Sequence, residues 1–204
     1  MPNFFRRRTG AHVTATFESP GIAELCLDYG RPAWPTEGMV NELMMHLHTA
    51  SQRDDIDCFV LRSAPGSDFG ASSNGEIPSL SAITKQMEQI SKPCVAVVTG
   101  CCADLGLALA LSSDVVLAGR SSRFKLNLGP QTDQVAAALA IRVGRIRANA
   151  MLIADTYLDG IGAAEIGLAH QCVSDRQLER HVQIQVTGIR QGMADCRKAI
   201  DAAD

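Results

Sequence analysis

Two stretches of small residues carry the groups that could do chemistry. Phe69-Gly70-Ala71-Ser72-Ser73-Asn74-Gly75 and Gly100-Cys101-Cys102-Ala103-Asp104-Leu105-Gly106 each follow an apolar run that reads as a buried strand. Ligands of open α/β proteins bind at the carboxyl ends of parallel strands. Small side chains, such as those of Gly70, Ala71, Ser72, Ser73 and Gly106, let a ligand approach backbone N–H groups closely. The second stretch runs into a helix read as Leu105–Leu111, whose first N–H groups and dipole favour negative charge. Two such loops side by side would offer one N–H each to a developing oxyanion. The alternative is two tight turns under close strand–helix packing.

Carboxylates supply the remaining chemistry. Asp133 stands where a helix over Gln134–Val143 begins, and its position alone reads as an N-cap. Asp104, ahead of Leu105, is either a helix cap or a base beside the oxyanion donors. Arg31 is either a contact for a ligand phosphate or a solvated loop residue. Ser72 and Ser73 raise a serine nucleophile, but no G-x-S-x-G is present and no histidine is obviously paired with them.

The elements that must position these residues follow from periodicity. Val13–Phe17 and Ile22–Leu27 alternate around Ser19-Pro20-Gly21, a hairpin pattern. Thr36 caps a helix to Ser51, with Met39, Leu43, Met44 and Leu47 on one face. Cys58–Leu61, Val95–Val98 and Val115–Ala118 read as buried strands, separated by a helix over Ser79–Ile90 and the Gly100–Gly106 turn. Ser121–Asp133 is read as loop. Helices over Gln134–Val143 and Arg147–Ala154, a capped helix Asp159–Ile166, the apolar stretch Ala169–Val173 and a polar helix Gln177–Ala203 complete the chain. The expectation is one α/β unit with a mainly parallel sheet.

Composition excludes several classes. At 46% hydrophobic and 20% charged residues the chain is globular and not disordered. A net charge of −3 gives no general attraction to nucleic acid, and Arg6-Arg7-Arg8 reads as a solvated tail. No apolar run approaches the ~18 residues of a membrane span, and no signal peptide is legible, so a cytoplasmic location is expected. Seven cysteines, an odd number in mostly apolar runs, suit reduced thiols. Neither cysteine nor histidine spacing suggests a metal.

The motifs in order resemble the crotonase (enoyl-CoA hydratase/isomerase) superfamily from about Val13 to Val173. Arg31-Pro32 is similar to its Arg-Pro step, and Phe69–Asn74 to its Phe-(Cys/Ser)-Ala-Gly-Ala-Asp loop. Lys92–Gly100 is similar to its Lys-Pro-Val-Ile-Ala-Ala-Val-Asn-Gly strand. Leu109-Ala110 with Asp114 resembles its Leu-Ala…Cys-Asp, and Ala163–Ala169 its Ala-x-Glu-x-Gly-Leu-Val signature. The resemblance implies a crotonase-like β-β-α superhelix, with a core over residues 1–175 and a shortened helical tail over 176–204. It implies an acyl-CoA or acyl-carrier thioester as substrate, no further cofactor, and a homo-oligomer, a trimer or hexamer. By position it assigns the oxyanion-hole N–H groups to Ser73 and Leu105.

The departures shape the expected chemistry. The family's first hydratase glutamate corresponds to Ala108, and no carboxylate follows Phe124 where its second one stands. Asp133, four residues after Gly129, resembles the acid/base of dienoyl-CoA isomerases and the nucleophile of 4-chlorobenzoyl-CoA dehalogenase. With 4% aromatic residues to line an aryl pocket, proton transfer is the favoured reading. The alternatives are an accessory subunit without turnover, and an aspartate-dependent hydrolase or dehalogenase.

Overall fold

The computed structural model describes residues 12–17, 19–29, 35–70, 77, 79–127, 131–154 and 157–201. Two strands, β1 (His12–Thr16) and β2 (Gly21–Asp28), form the expected antiparallel hairpin, with His12 opposite Asp28 and Thr16 opposite Glu24. Next come α1 (Glu37–Ser51), β3 (Ile56–Ser63), α2 (Leu80–Gln89), β4 (Cys94–Val98), β5 (Cys101–Ala103), α3 (Leu105–Leu111) and β6 (Val115–Gly119). The chain continues through β7 (Arg123–Lys125), α4 (Thr132–Val143), α5 (Arg145–Ala154), β8 (Leu158–Asp159), α6 (Gly160–Glu165) and β9 (Gln171–Val173). A 3-10 turn at Asp175–Gln177 then leads into α7 (Leu178–Asp201).

The main sheet has the order β1-β2-β3-β4-β6-β9 and is parallel from β2 onward. Its central strands are apolar without alternation because both faces are covered. On one face Ala23, Leu25, Leu27, Phe59, Leu61, Ala96, Val98, Val116 and Ala118 join the main core with α1, α2 and α3. On the other, Ile22, Cys58, Val60, Val95, Val97 and Leu117 meet Leu178, Val182 and Val186 of α7. A second sheet, β5-β7-β8, pairs β5 parallel to β7 and β7 antiparallel to β8.

Local chemistry explains several boundaries. Thr36 Oγ1 accepts the Met39 N–H at 3.2 Å, the expected cap of α1. Asp159 caps α6 by accepting the Gly162 N–H at 2.8 Å. Two residues of the family-like motifs prove structural. Lys92 donates to the carbonyls of Ala50 and Arg53 at the end of α1, where a cation offsets the exposed carbonyls. Asp114 accepts the Cys94 N–H at 2.7 Å, joining the starts of β4 and β6.

Three readings are corrected. Cys101–Ala103, read as part of a turn, is β5, and Arg123–Lys125, read as loop, is β7. Three-residue strands leave no measurable period, and their partners lie more than twenty residues away in the chain. α4 begins at Thr132, ahead of the expected Gln134.

The two-sided core predicts an asymmetric response to truncation. Leu25→Ala, at a fully buried position on β2, should cost about 2–5 kcal/mol by chemical denaturation. Ile184→Ala, at a 54% exposed site on α7, should stay within about 0.5 kcal/mol.

Candidate functional site

The two small-residue stretches meet. After β3 the chain lays Phe69 and Gly70 along β5. The Phe69 N–H donates to the Thr99 carbonyl at 3.2 Å, and the Gly70 N–H to Cys101 at 2.9 Å. The Ala103 N–H returns to the Gly70 carbonyl at 3.4 Å. Asp68 Oδ1 accepts the Cys101 N–H at 2.7 Å and fixes the root of the loop. Gly70 then packs backbone to backbone on α3. A Cβ on Gly70 would sit 2.5 Å from Gly106 Cα, and one on Gly106 would sit 2.6 Å from Gly70 Cα. Only two glycines permit that approach.

Leu105 opens α3 and is 1% exposed. The first i→i+4 bond runs from the Ala108 N–H to the Asp104 carbonyl, so the Leu105, Gly106 and Leu107 N–H groups have no acceptor within the helix. Ala108 itself is buried in the main core. Residues Arg31, Ala71, Ser72 and Ser73, all expected in the site, lie outside the described residues. The described residues on either side, Gly70 and Ile77, are each held by neighbours. Gly70 abuts Gly106, and Ile77 is bracketed by Gln131 at the start of α4. The Ile77 N–H donates to Gln131 Oε1 at 2.7 Å, and Gln131 Nε2 donates to the Ile77 carbonyl at 3.0 Å.

The two carboxylates are not caps. Asp104 occupies the N-cap position of α3 with φ 49° and ψ −115° and makes no capping bond through its side chain. An N-cap needs an extended backbone, which positive φ denies. Its Oδ1 instead accepts from Asn127 Nδ2 at 3.0 Å. Asp133 lies within the first turn of α4, exposed to solvent, while Gln131 holds the cap position. A carboxylate there is favoured by the helix dipole. Thr132 Oγ1 donates to the Asn127 carbonyl at 3.1 Å. Asp104, Asn127 and Thr132 thus link the starts of α3 and α4, with Asp133 as the next residue.

Sequence reasoning missed Asn127, Gln131 and Tyr29. Asn127 and Gln131 fell in a stretch read as loop, and their polarity gave no sign of partners. Tyr29 is buried, and its hydroxyl donates to the Phe69 carbonyl at 3.0 Å. Burial above all, with the Asp104 carboxylate nearby as a smaller cause, pushes its ionisation far up, so it remains a neutral donor. Burial likewise raises the Cys101 and Cys102 thiols, which disfavours a thiolate nucleophile. Among the described residues no group of three or more His, Cys, Asp or Glu side chains is placed to hold a metal. No described helix is long and apolar enough to cross a membrane.

A cavity of about 580 Å³ opens on the α7 face, lined among others by Glu24, Arg62, Asp68, Thr99 and Glu179. Arg62 there is paired with Glu24 at 3.2 Å and Glu179 at 2.7 Å. Asp68 and Gly100, at the roots of the two stretches, line it, whereas Asp104, Leu105, Gly106 and Asp133 do not.

The family model described as Enoyl-CoA hydratase/isomerase matches residues 36–202. A 1,2-epoxyphenylacetyl-CoA isomerase of Escherichia coli (strain K12) is 32% identical over 133 residues, covering 60% of this chain and half of that protein's length. The fold is similar to that of a monofunctional enoyl-CoA isomerase from M. smegmatis, with a TM-score of 0.78 and 23% identity over 87% of this chain and 84% of that one. It is also similar to a probable enoyl-CoA hydratase from Mycobacterium thermoresistibile, with a TM-score of 0.75 and 19% identity over 94% and 89% of the two chains.

The glycine contact yields a direct test. In Gly106→Ala the new Cβ meets the Gly70 backbone, which cannot rotate away. Thermal and denaturant unfolding should show a loss of about 1–3 kcal/mol. Gly188→Ala on α7, where nothing lies within 4 Å of the added Cβ, should not destabilise the protein.

Proposed function

The chain belongs to the enoyl-CoA hydratase/isomerase family, and we propose that it moves a proton on an acyl-CoA or acyl-carrier thioester through an enolate. The backbone N–H groups of Ser73 and Leu105 hold the thioester oxygen, and Asp133 is the acid/base. The observation that carries this reading is the Gly70–Gly106 contact, which brings the start of one loop against the first turn of α3. The Ile77–Gln131 bracket supports it by fixing the other end of that loop at the start of α4.

The aspartate takes the Cα proton. The C–H electron pair becomes the enolate double bond, and the negative charge moves to the thioester oxygen. Each N–H donor aimed at that oxygen is worth about 2.7–4 kcal/mol in the transition state. With a β,γ-enoyl thioester, return of the proton to Cγ leaves the conjugated α,β-enoyl product. Hydration is disfavoured because it needs two placed carboxylates, and Ala108 stands at the position of one.

Asp104 supports a second assignment of the base. It is one residue from the Leu105 N–H, and it holds a positive φ that a side chain rarely adopts. Such strain collects at functional sites. As an anion it would oppose an enolate, whereas accepting the proton removes that repulsion.

Exchange of the substrate α-proton with deuterated water, followed by mass spectrometry, tests the reading. Wild type should exchange, and Asp133→Asn should lose about 10²–10⁴-fold in rate. Loss in Asp104→Asn instead would move the base to Asp104. Thioester binding with no exchange would sink the proton-transfer reading and leave an accessory role. A covalent adduct on Asp133 would mark nucleophilic chemistry of the hydrolase or dehalogenase kind.

A homo-oligomer is part of the same proposal. Ile141, Ile146 and Ile153 on α4 and α5 are 81–88% exposed, large aliphatic side chains that a self-contact would cover. Sedimentation should show an assembly that Ile146→Glu with Ile153→Glu converts to monomer, with the helical content unchanged.

A further inference from the structure

One residue bonds to the chain neighbours of both groups assigned to the proton transfer. Asn127 lies just beyond β7, which runs parallel to β5 with Phe124 opposite Cys102 and Lys125 opposite Ala103. Phe124 and Leu126 are buried in the main core and anchor this segment. The ladder therefore delivers Asn127 beside the start of α3, where β5 ends. There its Nδ2 donates to Asp104 Oδ1 at 3.0 Å. Its carbonyl accepts the Thr132 hydroxyl at 3.1 Å, in the first turn of α4. Asp104 directly precedes Leu105 in the chain, and Thr132 directly precedes Asp133.

We propose that Asn127 is a positioning residue, whose side chain and carbonyl together set the distance between the Leu105 N–H and the Asp133 carboxylate. The inference rests on the reading of the site given above. Other contacts also hold α4. Val135 and Leu139 bury it in the main core, and Gln131 and Gln134 tie its first turns to Ile77 and to Ser81 and Thr84 of α2. Apolar packing is non-directional and tolerates a small slide along the helix axis. The two glutamines register α4 against Ile77 and α2. The Asn127 link registers it against the residue next to the oxyanion donor. Its two bonds act in series: Asp104 to the Asn127 side chain, and the Asn127 carbonyl to Thr132. Breaking either one opens the whole link. Removal of the Cα proton and growth of charge on the thioester oxygen belong to one transition state. An error in the spacing of base and donor therefore costs rate more than affinity.

Asn127→Leu keeps the side-chain size and removes the amide. Thr132→Val keeps the shape and removes the hydroxyl. With a β,γ-enoyl-CoA as the probe, each should lower the rate of α-proton exchange about 10- to 100-fold, while thioester affinity changes by less than about 2-fold. The double variant should lose no more than the worse single variant, because one broken bond already opens the link. Thr132→Ser retains the hydroxyl and should keep the wild-type rate. Losses that multiply in the double variant would overturn the proposal, since they mark two separate structural ties. So would a wild-type rate in either single variant, or a loss confined to affinity. If wild type exchanges no thioester proton, or if the rate depends on Asp104 and not on Asp133, the functional reading has failed. Amide exchange in the ligand-free protein then decides whether Asn127 registers the two helices. The Val135 N–H closes the first turn of α4 on the Gln131 carbonyl. Faster exchange of that amide in both single variants supports the link, and exchange equal to wild type in either one refutes it. If Asn127→Leu does not fold, Thr132→Val compared with Thr132→Ser carries the rate and amide measurements: a loss in the valine variant alone supports the link, and equal behaviour refutes it.

Discussion

The candidate site depends on one close approach, that of the Gly70 and Gly106 backbones. Two chains can touch at this distance only when neither carries a Cβ. The contact joins the segment leaving β3 to the helix entering after β5, and those are the two loops that follow neighbouring parallel strands. The surrounding bonds serve the same geometry. Asp68 ties the first loop to the Cys101 N–H, β5 pairs with Gly70, and Tyr29 holds the Phe69 carbonyl. Remove either glycine and the loops must separate, whatever the rest of the sheet does.

Behind that junction stands a sheet buried on both faces. One face supports α1, α2 and α3, and so fixes the site. The other supports α7, whose contacts are with a separate cluster of strand residues. The alternation of side chains along β2, β3 and β4 divides each strand between the two clusters. The cavity on the α7 face, lined by the paired Arg62, belongs to the second layer. Family-like residues also divide by role: Lys92 and Asp114 join elements of the frame, whereas Gly70 and Gly106 form the junction.

The carboxylates show how polar residues near a site can be read wrongly as caps. Asp is a good N-cap, and both Asp104 and Asp133 precede or open a helix. The backbone decided otherwise in each case. Asp104 takes a positive φ, which turns its side chain from the helix toward Asn127. α4 starts earlier than its apolar period suggests, so Asp133 falls inside the first turn and Gln131 is used to bracket Ile77. Neither carboxylate is consumed by the helix end: Asp104 joins the network that links α3 to α4 through Asn127, and Asp133 is the exposed residue next to Thr132 of that network.

By itself the sequence determined the alternation of strands and helices and the caps Thr36 and Asp159, and it singled out the two small-residue stretches whose glycines meet in the fold. These are local properties: burial period, side-chain capping and the absence of Cβ atoms are written within a few residues. The motif order also identified the family. Only the tertiary structure decided that the stretches meet, that Cys101–Ala103 and Arg123–Lys125 are strands, and that Asp104 pairs with Asn127. It alone placed Tyr29 under Phe69 and Gln131 around Ile77. Each of these joins residues twenty to more than fifty positions apart. Such contacts depend on how the whole sheet and its helices pack, and no residue type announces its distant partner.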